Sequence, residues 1–124
     1  MSNKVDVALV VEDAAVRNAL TFALEVEGLS VRLDDRSTVA LADAELLRCG
    51  CLVIGHRMPR LDGLELIEIL RARDVGVPAI VIAGCANRQL RDRAATAGVR
   101  YFLEIPLCGE ALLDAIRATL GAAQ

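Results

Sequence analysis

The stretch Cys51-Leu-Val-Ile-Gly-His-Arg-Met-Pro-Arg-Leu-Asp-Gly-Leu-Glu-Leu66 decides the fold. Cys51 to Ile54 is apolar at every position, so it has no face left for water and predicts a strand covered on both sides. Asp62 is a helix-capping residue type, and Leu64, Ile67 and Leu70 follow it at helical spacing. A doubly buried strand that leads through a short loop into a helix is the unit from which parallel sheets are built.

The same unit recurs on either side. Val5 to Val11 is an almost unbroken apolar run, followed by Glu12-Asp13 and by Val16, Ala19, Leu20, Ala23 and Leu24 at helical spacing. Gly28 is placed to end that helix in a left-handed turn, and Leu29, Val31 and Leu33 then alternate with polar residues, as a strand near an edge does. Ser37 or Thr38 can cap a helix running to about Arg48. Val77 to Ala83 predicts another buried strand, and Asn87 to Ala97 a helix with a thin apolar stripe of Leu90, Ala94 and Ala97, ended by Gly98. So little apolar surface makes this the helix expected to be held least firmly. Val99 to Ile105 predicts a fifth strand and Gly109 to Leu120 a fifth helix, with Leu112, Leu113 and Ile116 inward.

Strands that alternate with helices imply a doubly wound, flavodoxin-like α/β fold. Right-handed crossovers then favour a five-stranded parallel sheet in the order 2-1-3-4-5 with helices on both faces. The length of 124 residues, 55% of them hydrophobic, suits one domain with a real core. A single domain over residues 1–124 is expected, with no output domain in the chain.

Net charge of −3 and pI near 5.1 offer no global attraction to nucleic acid or to an anionic membrane. The arginines at 88, 91, 93 and 100 are expected to form a solvated helix face. No apolar run approaches the roughly 18 residues that span a bilayer, and Met1 to Val5 lacks the apolar core of a signal peptide, so a cytoplasmic protein is expected. There the four cysteines should be reduced and serve as small hydrophobes. Cys49 and Cys51 lie at the start of the third strand, whereas Cys85 and Cys108 follow the fourth and fifth, so the four cannot share one site. Of these only a Cys85–Cys108 pair, with Cys108 at a helix start, has redox interest, and ordinary packing remains the favoured reading.

Ligands of open parallel sheets collect at the carboxyl ends of the strands, here Glu12-Asp13, Gly55 to Pro59, Ala83-Gly84 and Ile105-Pro106. Over nearly its whole length the sequence resembles the receiver domain of bacterial two-component response regulators. The resemblance is carried by Val10-Val-Glu-Asp13, by Leu52 to Leu66 with its Met-Pro and Asp-Gly pairs, and by Tyr101-Phe-Leu-Glu-Ile-Pro106. It implies phosphoryl transfer from a histidine kinase to an aspartate four residues before the proline of the Met-Pro pair, and that position is Gly55. It also implies a Ser or Thr where Ala83 stands and a lysine where Ile105 stands. Of the five site positions, only the acidic pair Glu12 and Asp13 keeps the residue types the resemblance implies.

Acyl phosphate formation needs a carboxylate nucleophile, which Gly55 lacks. Mg²⁺ is held in such sites by one or two carboxylates and by phosphate oxygens, so Glu12 and Asp13 alone are expected to bind it weakly or not at all, and no other cofactor is expected. Ile105 removes the counter-ion of the acidic pair while Gly55 removes the third carboxylate, so the changes compensate in charge. Ala83 has no hydroxyl with which to follow a phosphoryl group, and Tyr101, at the family's switch aromatic, loses the residue that would set its position. Asp13 is equally explained as a helix cap, and Asp62-Gly63 as a turn and cap. His56, the only histidine, has no visible partner to activate it as a substitute phosphoacceptor.

The expectation is therefore a non-enzymatic signalling module, a degenerate receiver acting by phosphorylation-independent protein contact. Its partner is a signalling protein, not nucleic acid or membrane. The resemblance places the contact face on the last two helices and the fifth strand between them, around Arg88, Arg91, Tyr101 and Pro106, a face that can also carry a homodimer. The alternative is a small-ligand sensor in which the emptied pocket at Gly55, Ala83 and Ile105 takes an apolar or cyclic molecule.

Overall fold

A computed structural model describes residues 5–34, 42, 48–58, 61–84, 86–105 and 110–122. Among the described residues nine elements follow one another: β1 (Val7–Val10), α1 (Ala14–Val26), β2 (Val31–Asp34), β3 (Cys51–Gly55), α2 (Gly63–Ala72), β4 (Ala79–Ala83), α3 (Arg88–Thr96), β5 (Tyr101–Glu104) and α4 (Ala111–Ala122). The helix expected between Ser37 and Arg48 falls almost wholly outside the described residues.

The strands form one parallel sheet in the order β2-β1-β3-β4-β5. β3 sits at its centre, with Cys51 beside Val7 in the β1 ladder and Ile54 beside Val81 in the β4 ladder. Every residue of β1 and β4, and Cys51 to Ile54 of β3, is buried, as unbroken apolar runs require. β2 and β5, at the edges, are only partly covered.

Side chains of successive strand residues point to opposite faces, and the core divides accordingly. Val7, Leu9, Cys51, Val53, Ile80 and Ile82 pack with Leu24 of α1 and Leu112, Ala115 and Ile116 of α4. Ala8, Val10, Leu52, Ile54, Ala79 and Val81 pack on the other face with Leu64, Leu66, Ile67 and Leu70 of α2 and Ala94 of α3. This is the two-sided sheet expected from the sequence. α3 contributes Ala94 as its only buried residue, in keeping with its thin stripe.

The first three helices close in the same way. Leu29 N–H donates to Leu24 C=O and Gly28 N–H to Glu25 C=O, with Gly28 at φ 85°. Val99 N–H donates to Ala94 C=O and Gly98 N–H to Ala95 C=O, with Gly98 at φ 79°. At the end of α2, Val75 N–H donates to Leu70 C=O and Asp74 N–H to Arg71 C=O. There the left-handed position, at φ 63°, is held by Asp74 instead of glycine. These closures also shorten the strands. Val99 is spent on ending α3, so β5 begins at Tyr101 and not at Val99.

Candidate functional site

The carboxyl ends of β1, β3, β4 and β5 surround a cleft of about 540 Å³. Val11, Val16, Ile82, Ala83 and Ile105 line it with apolar surface, Gly55 lies at its floor, and Glu12, Asp13, His56 and Arg57 bring the polar groups. All five positions singled out in the sequence thus meet at one place.

Each wall has a local cause. Asp13 is extended (φ −69°, ψ 114°), and its Oδ1 accepts from the N–H groups of Ala15 at 2.9 Å and Val16 at 3.1 Å, so it is the N-cap of α1. Arg17, one turn into that helix, does not pair with the carboxylates. Its Nη1 donates to the carbonyls of Val11 at 2.7 Å and Glu12 at 3.0 Å, which fastens the acidic loop to the helix. The Glu12 side chain is exposed and makes no hydrogen bond or ion pair among the described residues.

At the end of β3, His56 N–H donates to Ile82 C=O at 2.8 Å and Gly63 N–H to His56 C=O at 2.9 Å. A Cβ at Gly55 would meet only Val10 C=O, at 3.9 Å, so a Cβ has room there. A Cβ at Gly63 would come within 2.6 Å of Gly55 C=O and 3.1 Å of His56 Cα. The Asp62-Gly63 pair therefore has two tasks. Asp62 caps α2 through a reciprocal box, with Glu65 N–H donating to Asp62 Oδ1 at 2.7 Å and Asp62 N–H to Glu65 Oε1 at 3.0 Å. Gly63 lets the helix start touch the backbone of the cleft floor, a role that the sequence reading, content with a turn, missed.

Ala83 is 3% exposed, and Ile105 N–H donates to its carbonyl at 2.9 Å, carrying the β4–β5 ladder to the cleft rim. The Ile105 side chain is 43% exposed. His56 Nδ1 is enclosed without a hydrogen-bond partner and lies 3.9 Å from Asp62 Oδ1. At that distance the Asp62 carboxylate makes no hydrogen bond to the ring.

The family resemblance implies Mg²⁺, and among the described residues the donors for it are few. Gly55 contributes no carboxylate, Asp13 Oδ1 is engaged by two amides, and no three His, Cys, Asp or Glu residues converge on a metal position among the described residues.

On the α3 and β5 side, Arg88 and Tyr101 are exposed, and Arg91 pairs with Glu104 at 2.7 Å while its guanidinium lies 5.2 Å from the centre of the Phe102 ring. Arg93 grips Glu68 of α2 through two hydrogen bonds, 2.8 and 2.9 Å, and this hydrogen bonding holds the Glu68 carboxyl below its usual range. The arginine face is thus solvated but also tied by ion pairs. Pro106, Cys85 and Cys108 lie outside the described residues.

Cys49 and Cys51 are free and buried; burial pushes their thiols up to about 11 and about 12 respectively, with the neighbouring thiol adding to the rise at Cys51. Both are packing residues far from thiolate chemistry at neutral pH. No helix among the described residues is long and apolar enough to cross a membrane.

Comparison with known proteins agrees with this geometry. A family model described as "Response regulator receiver domain" matches residues 7–117. The chain is 38% identical over 122 residues to the transcriptional regulatory protein FixJ of Azorhizobium caulinodans, covering 98% of this chain and 57% of that protein. It is 35% identical over 121 residues to the response regulator protein TodT of Pseudomonas putida, covering 97% and 53%. The chain therefore spans little more than half the length of these curated relatives. Among solved structures, FixJ-N superposes with TM-score 0.85 at 30% identity, covering 97% of this chain and 96% of that one. A Francisella receiver domain superposes with TM-score 0.90 at 19% identity, which speaks for the fold alone.

Proposed function

The chain belongs to the response regulator receiver domain family, the receiver module of two-component signalling, and from that premise we propose that it is a member which has given up phosphate chemistry and signals by protein contact. The observation that carries the reading is the glycine at the carboxyl end of β3, where the family resemblance puts the phosphoacceptor aspartate. Without a carboxylate no acyl phosphate can form there. Ala83 and Ile105 line the same cleft and lack the hydroxyl and the cation that would answer a phosphoryl group.

Phosphorylation in a receiver biases an equilibrium between two arrangements of its output face. Here the resting population is set by the sequence and shifted by a partner that binds one arrangement better. The face offered is α3, β5 and α4, with exposed Arg88 and Tyr101 and the Arg91–Glu104 pair. It suits a signalling protein or a second copy of the chain, and the mixed charge argues against nucleic acid. Mg²⁺ has no part in this mechanism, the chain performs no catalysis of its own, and the setting is the cytoplasm.

Gly55→Asp tests whether three losses act together. Room for its Cβ exists, so the variant is expected to fold. With acetyl phosphate and Mg²⁺, the amide resonances of α3 and β5 in that variant should stay where they are, because Ala83 and Ile105 still lack their groups. A full shift of that face in the single variant would refute the reading.

A further inference from the structure

We infer that the cleft at the carboxyl edge of the sheet is a binding site for a small organic cation, with a compact apolar body and one ammonium or guanidinium head. The inference rests on the reading of this site as one that no longer takes phosphate. A volume of about 540 Å³ falls within the range of small-molecule sites, about 300–1,000 Å³. The floor is open above Gly55, where a Cβ would meet only one atom, at 3.9 Å. Ile82 and Ala83 form an apolar wall, and Ile105 leaves apolar surface at the rim that a ligand body would take out of water.

The charge of the head follows from what the acidic loop lacks. Glu12 has no hydrogen bond or ion pair among the described residues, and Asp13 uses Oδ1 for its cap, which leaves Oδ2 free. Arg17, the basic residue closest to them in the chain, spends its Nη1 on the carbonyls of Val11 and Glu12. Ile105 on the facing rim brings no charge, and among the described residues Arg57, which is exposed, is the only full cation lining the cleft. Two carboxylates against one guanidinium leave the described lining of the site negative. A bare divalent ion gains little from this donor set, because it must shed water for few ligands. An organic cation sheds less tightly held water, brings the missing positive charge and covers the apolar wall with its body.

The test is an amide titration of the whole chain, by ¹⁵N-¹H correlation spectra, with three isosteric probes: isoamylamine, isoamyl alcohol and isovalerate. The amine should move the Gly55, Ala83 and Gly84 amides saturably and bind at least about tenfold tighter than either isostere. Glu12→Gln should weaken the amine at least about fivefold, and Ala83→Leu, which fills the cleft, should abolish its binding. Should Ala83→Leu fail to fold, Glu12→Gln still decides, since that side chain is exposed and has no partner among the described residues. Equal binding of the three probes, no binding of the amine, or an amine response that Glu12→Gln leaves unchanged overturns the inference. The same sample, treated with acetyl phosphate and Mg²⁺ and weighed, separates the two levels. Unchanged mass without an amine response defeats the cation site alone, whereas a gained phosphoryl group defeats the reading beneath it.

Discussion

Helices α2 and α3 pack on the same face of the sheet and both begin with a side-chain cap, yet they are held by different forces. α2 buries Gly63, Leu64, Leu66, Ile67 and Leu70, and its cap is reciprocal. α3 buries Ala94 alone, has a single Asn87 Oδ1 bond to Leu90 N–H, and is tied to its surroundings by Arg91–Glu104 and Arg93–Glu68. The helix that touches the cleft floor is thus anchored in the core, while the helix on the proposed contact face is attached by Ala94, the half-buried Leu90 and Ala97, an Arg71 bond to Ala97 C=O and exposed ion pairs, which are individually weak. That division suits the function proposed above, a module whose output is a surface.

Core truncation should expose the difference most strongly. Ile67→Ala in α2 should cost about 2–5 kcal/mol in urea unfolding, whereas Leu90→Ala in α3, only half-buried, should cost less than half as much. Equal losses would break the comparison. Next comes Gly63→Ala, whose Cβ would press on Gly55 C=O at 2.6 Å; about 1–3 kcal/mol of stability should be lost, with shifts of the Gly55 and His56 amides. An unperturbed Gly55 amide would show that the helix start gives way instead.

The caps sharpen the contrast by location. Asp62→Ala should lower global stability by about 1 kcal/mol, while Asn87→Ala, a cap loss of similar size, should appear mainly as faster hydrogen exchange within α3. In the opposite direction, Asp74→Gly relieves a non-glycine residue at φ 63° and should add roughly 0.5–1 kcal/mol, checked by the same unfolding curves. The smallest effect belongs to the ion pair. Arg93 holds the Glu68 carboxyl below its unfolded pKa, so the pair stabilises above the ordinary carboxylate range, and its contribution disappears as pH falls through the lowered folded value. Arg93→Ala should therefore cost under about 1 kcal/mol at neutral pH and nothing in acid, by unfolding at both pH values.

The sheet was legible because its three central strands are apolar on both faces, a pattern few other structures share. The helix caps at Asp13 and Asp62 and the turns at Gly28 and Gly98 were legible from residue type, whereas Asn87, read as the first residue of its helix, is its cap. What escaped was whatever depends on a neighbour distant in sequence. That Val99 ends a helix instead of starting a strand follows from its bond to Ala94 C=O, and an apolar residue after glycine looks alike in both roles. Asp74 in a left-handed turn gives no signal of its own. Nor did Gly63 announce that the Gly55 carbonyl lies against it, or Arg17 that it serves carbonyls and not the carboxylates beside it. The strand ends were readable from the apolar runs and the site positions on them were implied by the family resemblance, whereas the openness of the cleft above Gly55 needed the packing of four strand ends.

The central claim is that no residue of this receiver takes phosphate. Incubation of the whole chain with acetyl phosphate and Mg²⁺, followed by intact-mass measurement under conditions that preserve acyl phosphates, tests it most directly. An unchanged mass is the predicted result; the gain of one phosphoryl group, on any residue, would contradict it.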